Sequence, residues 1–274
     1  MKIKILLPIL CLFLLAGCGQ KEKNAAKDYP ADEIFAIHIQ NDSAPLTLSL
    51  SPDDAIHVSA REGAVRLEDG QLTIAQTDGA KNALEQFSFG KKETLSVSLP
   101  AGARLPISVE NNSGDLEISQ ISASDLQLEN ASGYCRFTDV TADSARIASG
   151  SGDIKIADGK IADLDLRTDS GYVTLENPAS KNIRITAKSG EANLSRLNPQ
   201  TNLDVSTDSG DIGVAYQSAP ESLDFEIASG SRDVTAKLRG ARYETDTDGC
   251  KKGTVGAGAQ SLTVESDTGT VIIR

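Results

Sequence analysis

A Ser-Gly pair returns along the middle of this chain at Gly114, Gly133, Gly152, Gly171, Gly190 and Gly210, at intervals of 19, 19, 19, 19 and 20 residues. One set of offsets fits every copy. Seven and five residues before the glycine stand Ile107 and Val109, Leu126 and Leu128, Ala145 and Ile147, Leu164 and Leu166, Ile183 and Ile185, Leu203 and Val205. Two and four residues after it stand Leu116 and Ile118, Cys135 and Phe137, Ile154 and Ile156, Val173 and Leu175, Ala192 and Leu194, Ile212 and Val214. Apolar residues at every second position mark a strand with one buried face, so each period holds two short strands with a Ser-Gly turn between them.

A unit of this size cannot bury its apolar face alone, so successive units must stack, each strand pairing in parallel with its counterpart in the next. The expected fold is therefore all-β: a single-chain parallel β-solenoid, or β-helix, with about 19–20 residues and two short strands per coil. Glycine suits a turn that needs a positive φ, which strains a residue carrying a Cβ. Stacking then aligns Ser113, Ser132, Ser151, Ser170, Ser189 and Ser209. It also aligns the small or polar residues Asn111, Asn130, Ser149, Thr168, Ala187 and Thr207 three positions before the glycine. Both columns read as turn chemistry.

The pattern extends beyond the regular run. Ala44 stands in for the turn glycine of a first coil, with Ile37, Ile39, Leu46 and Leu48 at the apolar offsets, and a last coil returns at Gly269 with Leu262, Val264, Val271 and Ile273. Residues 76–92 read as an insertion loop. After Gly210 the step to the next coil lengthens, and across 237–260 the pattern fails. The domain expected over 33–274 thus has regular coils at 105–236, an irregular segment at 237–260 and a terminal coil at 261–274. The chain's end, one residue after Ile273, places the final strand near an end of the stack.

The first residues are of another kind. Two lysines, an apolar run over 5–15 and then Leu15-Ala16-Gly17-Cys18 form an export signal too short to span a bilayer. Leu-Ala-Gly-Cys resembles the lipobox of bacterial lipoproteins, which implies cleavage after residue 17 and acylation of Cys18. Residues 1–17 are then a lipoprotein signal peptide, and 18–32, with almost nothing to bury, a lipidated N-terminus and flexible tether. The expected location is extracytoplasmic, lipid-anchored in the cell membrane or outer membrane, with the membrane engaged through Cys18.

The repeated turns Ser113-Gly114-Asp115-Leu116-Glu117-Ile118, Ser151-Gly152-Asp153-Ile154-Lys155-Ile156 and Ser209-Gly210-Asp211-Ile212-Gly213-Val214 resemble those of the bacterial putative-adhesin family of domains of unknown function. The likeness runs over essentially the whole mature domain. It implies an envelope-exposed solenoid and no established active site.

The residues themselves offer little catalytic chemistry. A net charge of −12 argues against a nucleic-acid partner. His38 and His57 alternate with buried positions and share no metal spacing, so no metal or cofactor is expected. Cys135 reads as a small core residue, and Cys250 lies several coils away from it, too far for a disulfide. Asp115, Asp153, Asp211 and Asp233 follow the turn, but Tyr134, Tyr172 and Glu191 interrupt the row, so acidic turn residues facing water explain it better than a calcium stack. Enzymes that cleave acidic polysaccharides also use β-helices, yet no pair of carboxylates is marked here. Tyr134 and Tyr172 hold one outward position two coils apart, about 10 Å, a spacing on which sugar rings can stack. The chain therefore reads as a non-catalytic binding or adhesion module whose partner is a glycan or surface protein. The alternatives are an accessory protein of an envelope-stress or surface-assembly system, and a polysaccharide-active enzyme.

Overall fold

Leu128, Ile147, Leu166 and Ile185 lie side by side in one parallel sheet, each at most 1% exposed. The same column continues through Val205, Val264 and Ile227 in one direction and through Val109, Ile39 and Ile74 in the other. Facing it, Ile118, Phe137, Ile156, Leu175, Leu194, Val214 and Ile273 form a second buried column in a second sheet. Period-2 alternation explains both: with one face inward, every second side chain meets the opposite sheet, and burying a Leu, Ile or Phe there contributes about 1.5–3 kcal/mol. The computed structural model describes residues 24–77 and 94–274. Among them the chain is all-β, a stack of a thirteen-stranded and a twelve-stranded sheet, largely parallel and with no closed barrel.

The two sheets differ in strand length. One uses four-residue strands such as Leu116–Ser119, Cys135–Thr138, Ile154–Ala157 and Val173–Glu176. The other uses eleven-residue strands, Ser122–Ser132, Thr141–Ser151 and Lys160–Ser170. These long strands start earlier than the two inward positions before each turn suggest. Ala123, Ala142 and Ile161 add a further buried row, and pairing between the first two strands skips Ser124 and Asp143. At the end of each short strand the chain passes through a left-handed residue, at Gln120, Asp139, Asp158 and Asn177 just beyond the strand and at Arg196 within Ala192–Leu197, with φ of +51° to +55°.

Both ends of the stack are interleaved. The strands Ala36–Asn41 and Leu46–Leu50 of the chain's first coil lie inside the strands Gln71–Gln76 and Leu95–Leu99 that follow them. At the other end Gln260–Thr268 and Val271–Ile273 slot between the strands Asn202–Ser209 and Ile212–Tyr216 and the strands Leu223–Ser229 and Val234–Ala236. The final coil is thus one step inside the stack. The segment without apolar pattern is ordered as two antiparallel strands, Arg242–Asp246 and Cys250–Val255, which cover the end of the long-stranded sheet. At the opposite end Asn24–Pro30 pairs antiparallel with Ala55–Arg61 and buries Tyr29. The tether expected over 18–32 therefore gives way to a strand at Asn24. Its sequence Asn-Ala-Ala-Lys-Asp-Tyr-Pro has no alternation of apolar residues and hid an edge strand whose only large inward side chain is Tyr29. The expected leader and most of the insertion loop lie outside the described residues.

Candidate ligand-binding face

The Ser-Gly turns stack more tightly than a positive φ alone requires. Gly114, Gly133, Gly152, Gly171, Gly190, Gly210 and Gly269 have φ between +110° and +158°, and a Cβ built on any of them would lie 1.9–2.5 Å from the carbonyl oxygen of the preceding turn residue in the stack. Ala44, the first in this column, turns without a positive φ. Behind the turns runs a buried polar ladder: Asn41 Nδ2 donates to Asn111 Oδ1 at 2.6 Å, Asn111 Nδ2 to Asn130 Oδ1 at 2.7 Å, and Asn130 Nδ2 to Ser149 Oγ at 3.1 Å. The same amides donate to the carbonyls of Ala44, Gly114 and Gly133, so the corner's backbone acceptors are satisfied inside the protein.

Immediately after the glycines the column reads Asp115, Tyr134, Asp153, Tyr172, and the alternation has a structural cause. Asp115 Oδ1 accepts the backbone N–H of Tyr134 at 3.1 Å, and Asp153 Oδ1 that of Tyr172 at 2.9 Å; Asp211 does the same for Thr270 at 2.7 Å. Each aspartate thus fixes the next coil's turn, leaving the tyrosine rings to project. Tyr172 is 57% exposed and Tyr134 is half-buried. Two residues on, in the outward row of the short strands, Glu117, Arg136, Lys155 and Thr174 are cross-strand neighbours. The Arg136 guanidinium lies over the Tyr134 ring at 5.2 Å, while Lys155 Nζ is 3.6 Å from Glu176. Sequence reasoning found the tyrosines and missed Arg136, which the same 19-residue bookkeeping exposes once outward positions are laid in columns.

Other groups fall elsewhere. His57 bridges two carboxylates: its Nδ1 is 2.7 Å from Asp28 Oδ1 and its Nε2 2.8 Å from Asp53 Oδ1. The hydrogen bond to Asp28, then that to Asp53, raises the imidazole above its ordinary range. No sequence signal linked these residues, because the pairing of Asn24–Pro30 with Ala55–Arg61 was not legible. Cys135 is fully buried and burial pushes its thiol up to about 12; it and Cys250 are both free. Among the described residues no group of three or more His, Cys, Asp or Glu is arranged to hold a metal, and no helix is long and apolar enough to cross a membrane. A groove of about 740 Å³ runs along the outer face of the long-stranded sheet, floored by Ala131, Ala148 and Gly150. Its cations, Arg167 and Lys188, are held by Asp165 and Asp169. Cys18 lies outside the described residues.

The Toastrack DUF4097 family model matches residues 34–274. Among curated proteins, none matches the chain by sequence. Among solved structures, a putative adhesin from Bacteroides fragilis is 13% identical over 92% of this chain and 98% of its own, with a TM-score of 0.51, a likeness of fold. A putative cell adhesion protein from Clostridium sporogenes (14% identity, 92% and 98% covered) and a putative adhesin from Parabacteroides merdae (12%, 90% and 97%) align with TM-scores of 0.31 and 0.37.

Proposed function

The chain belongs to the Toastrack DUF4097 family, and from that premise we propose that it is a lipid-anchored, non-catalytic binding or adhesion module of the cell envelope. In this reading residues 1–17 are removed, acylated Cys18 holds the protein to the membrane on its extracytoplasmic side, and 33–274 form a single-chain β-solenoid of 19–20-residue coils. The partner is a glycan or a surface protein, engaged at Tyr134 and Tyr172. The adhesin name carried by the Bacteroides fragilis protein of similar fold agrees with this assignment.

One observation carries the reading: two tyrosines project from the same turn position of a rigid stack, and neighbouring carboxylates hold both turns in place. Rings displayed on a pre-ordered edge lose little entropy on binding. The test is a glycan and protein binding screen of the full acylated protein in detergent, beside the Tyr134→Ala/Tyr172→Ala double variant. Binding by the wild type and loss of it in the double variant, with unchanged melting, is the expected result. Undiminished binding by the double variant would remove the tyrosine face, and a delipidated N-terminal peptide in native membranes would remove the anchor. A soluble fragment for such work must begin before Asn24, since starting after Pro30 deletes a paired strand.

A further inference from the structure

We propose that Arg136 makes the tyrosine face selective for acidic glycans, sugar chains bearing carboxylate or sulfate groups. This rests on the reading that Tyr134 and Tyr172 take sugar rings, and adds to it the charge of the ligand. An expected cross-strand ion pair does not form. Glu117 and Arg136 are directly opposite in adjacent parallel strands, yet the guanidinium lies over the Tyr134 ring and no carboxylate among the described residues is within ion-pairing distance of it. Stacking holds the planar fork at a fixed orientation and leaves its N–H edges unclaimed, the arrangement that recognises two oxygens of a carboxylate or sulfate at once.

Position supports the same reading. Arg136 and Tyr134 share one coil, Lys155 stands in the next, and Tyr172 in the one after, so the cation lies within about 10 Å of both rings along the stack. A sugar on Tyr172 with an acidic neighbour toward Tyr134 would place that acid at Arg136. The nearby carboxylates are mostly occupied. Asp115 and Asp153 accept backbone N–H groups, and Glu176 is bonded by Arg196 at 3.1 Å and approached by Lys155. Among the described residues Glu117 and, in the coil beyond Tyr172, the exposed Glu191 have no such partner and oppose an anionic ligand, and Asp115 and Asp153 keep their charge. The chain's overall negative charge acts over a longer range, where physiological salt screens it beyond about 8 Å.

The experiment measures affinity of the full protein for three probes: an oligogalacturonide, its neutral methyl ester, and a sulfated neutral oligosaccharide. Wild type is expected to bind at least one acidic probe more tightly than the neutral one. Arg136→Gln should weaken acidic binding about tenfold or more and leave the neutral probe unchanged, as loss of a charge-assisted bidentate contact predicts. Arg136→Lys should recover only part, since a point charge lacks the fork. Glu117→Gln should tighten acidic binding a few-fold by removing the like charge directly opposite Arg136. If acidic and neutral probes bind alike through the tyrosines and Arg136→Gln changes neither, charge selectivity is refuted while the glycan face stands. If no probe binds, the glycan face and the selectivity built on it are overturned together.

Discussion

Replacing Gly171 with alanine tests the stacking of the turns directly. Gly171 has φ +124°, and a Cβ there would sit 2.4 Å from the carbonyl oxygen of Gly152 and 2.9 Å from its carbonyl carbon, closer than real Cβ atoms come to backbone. Holding alanine at such a φ costs about 1–3 kcal/mol. Relieving the clash requires the Gly152 peptide to move, which strains the flanking bonds from Ile154 N to Tyr172 O (2.8 Å) and from Val173 N to Glu191 O (2.9 Å), each worth about 1 kcal/mol. The expected loss is about 2–5 kcal/mol. Urea unfolding should show it as a lower midpoint, and for a domain of this size it corresponds to a fall in Tm of roughly 4–20 °C. Gly213→Ala is the control: its Cβ would meet only the Asn193 side chain, at 3.5 Å, so its effect should stay within about 0.5 kcal/mol. In a stack coupled mainly between neighbours, hydrogen exchange should localise the damage to the coils around residues 152, 171 and 190. If Gly171→Ala is as stable as Gly213→Ala, the close approach of successive turns is not what selects glycine there.

Three further outcomes follow from the same geometry. Asn111→Leu keeps the number and branching of the side-chain heavy atoms but leaves the Gly114 carbonyl, the Asn41 amide and the Asn130 oxygen without their partner; chemical denaturation should show a loss of roughly 3 kcal/mol, and a loss under about 1 would mean the ladder is dispensable. Both Asp158→Gly and Asp158→Val remove the acceptor of Asn177 Nδ2, an exposed contact, but at φ +54° the β-branched valine is strained and the glycine is not, so Val should be about 1–2 kcal/mol less stable than Gly by thermal melting. The His57 clasp should be pH-dependent. Its raised imidazole adds stability that is full below the ordinary value of 6.5 and is lost as pH rises through the folded value. The lowered Asp53, held first by the Ala55 N–H, adds stability present above 3.8 and lost in acid. Protection of the Asn24–Pro30 amides, corrected for intrinsic exchange, should therefore be greatest between these values and fall on the alkaline side, and His57→Gln should abolish that dependence.

How much of this was legible in the sequence depended on whether a feature repeats. Leu128, Ile147, Leu166 and Ile185 could be placed in one column because each coil restates the same burial requirement. The second corner repeats just as strictly at Gln120, Asp139, Asp158, Asn177 and Arg196, but its signature is a backbone conformation open to several polar residues, so side-chain identity concealed it. The interleaved ends were illegible for a different reason. Strand patterning says which side chains face inward and nothing about which neighbour a coil chooses, so Leu262 and Val264 fit equally well beside Leu223–Ser229 or beyond it. Asn24–Pro30 carries too few apolar residues to register as a strand at all. On the candidate face, the exposed Tyr172 stood out as an aromatic in a polar column, whereas the turning of Arg136 away from Glu117 depends on rotamers that spacing does not encode.

Repetition also separates the parts of this chain that can change from those that cannot. In the inner coils an inward substitution alters two interfaces at once, because each buried strand residue there pairs with a counterpart on either side, and the turn glycines are confined by the carbonyl beneath them. Outward positions carry no such constraint: the row Glu117, Arg136, Lys155, Thr174 and Asn193 changes charge and size at nearly every step while its backbone pairing stays unbroken. A scaffold of this kind lets surface chemistry vary without loss of register. On the proposed face the columns are irregular, and Tyr134, Arg136 and Tyr172 combine two large rings with a guanidinium that pairs with no carboxylate among the described residues.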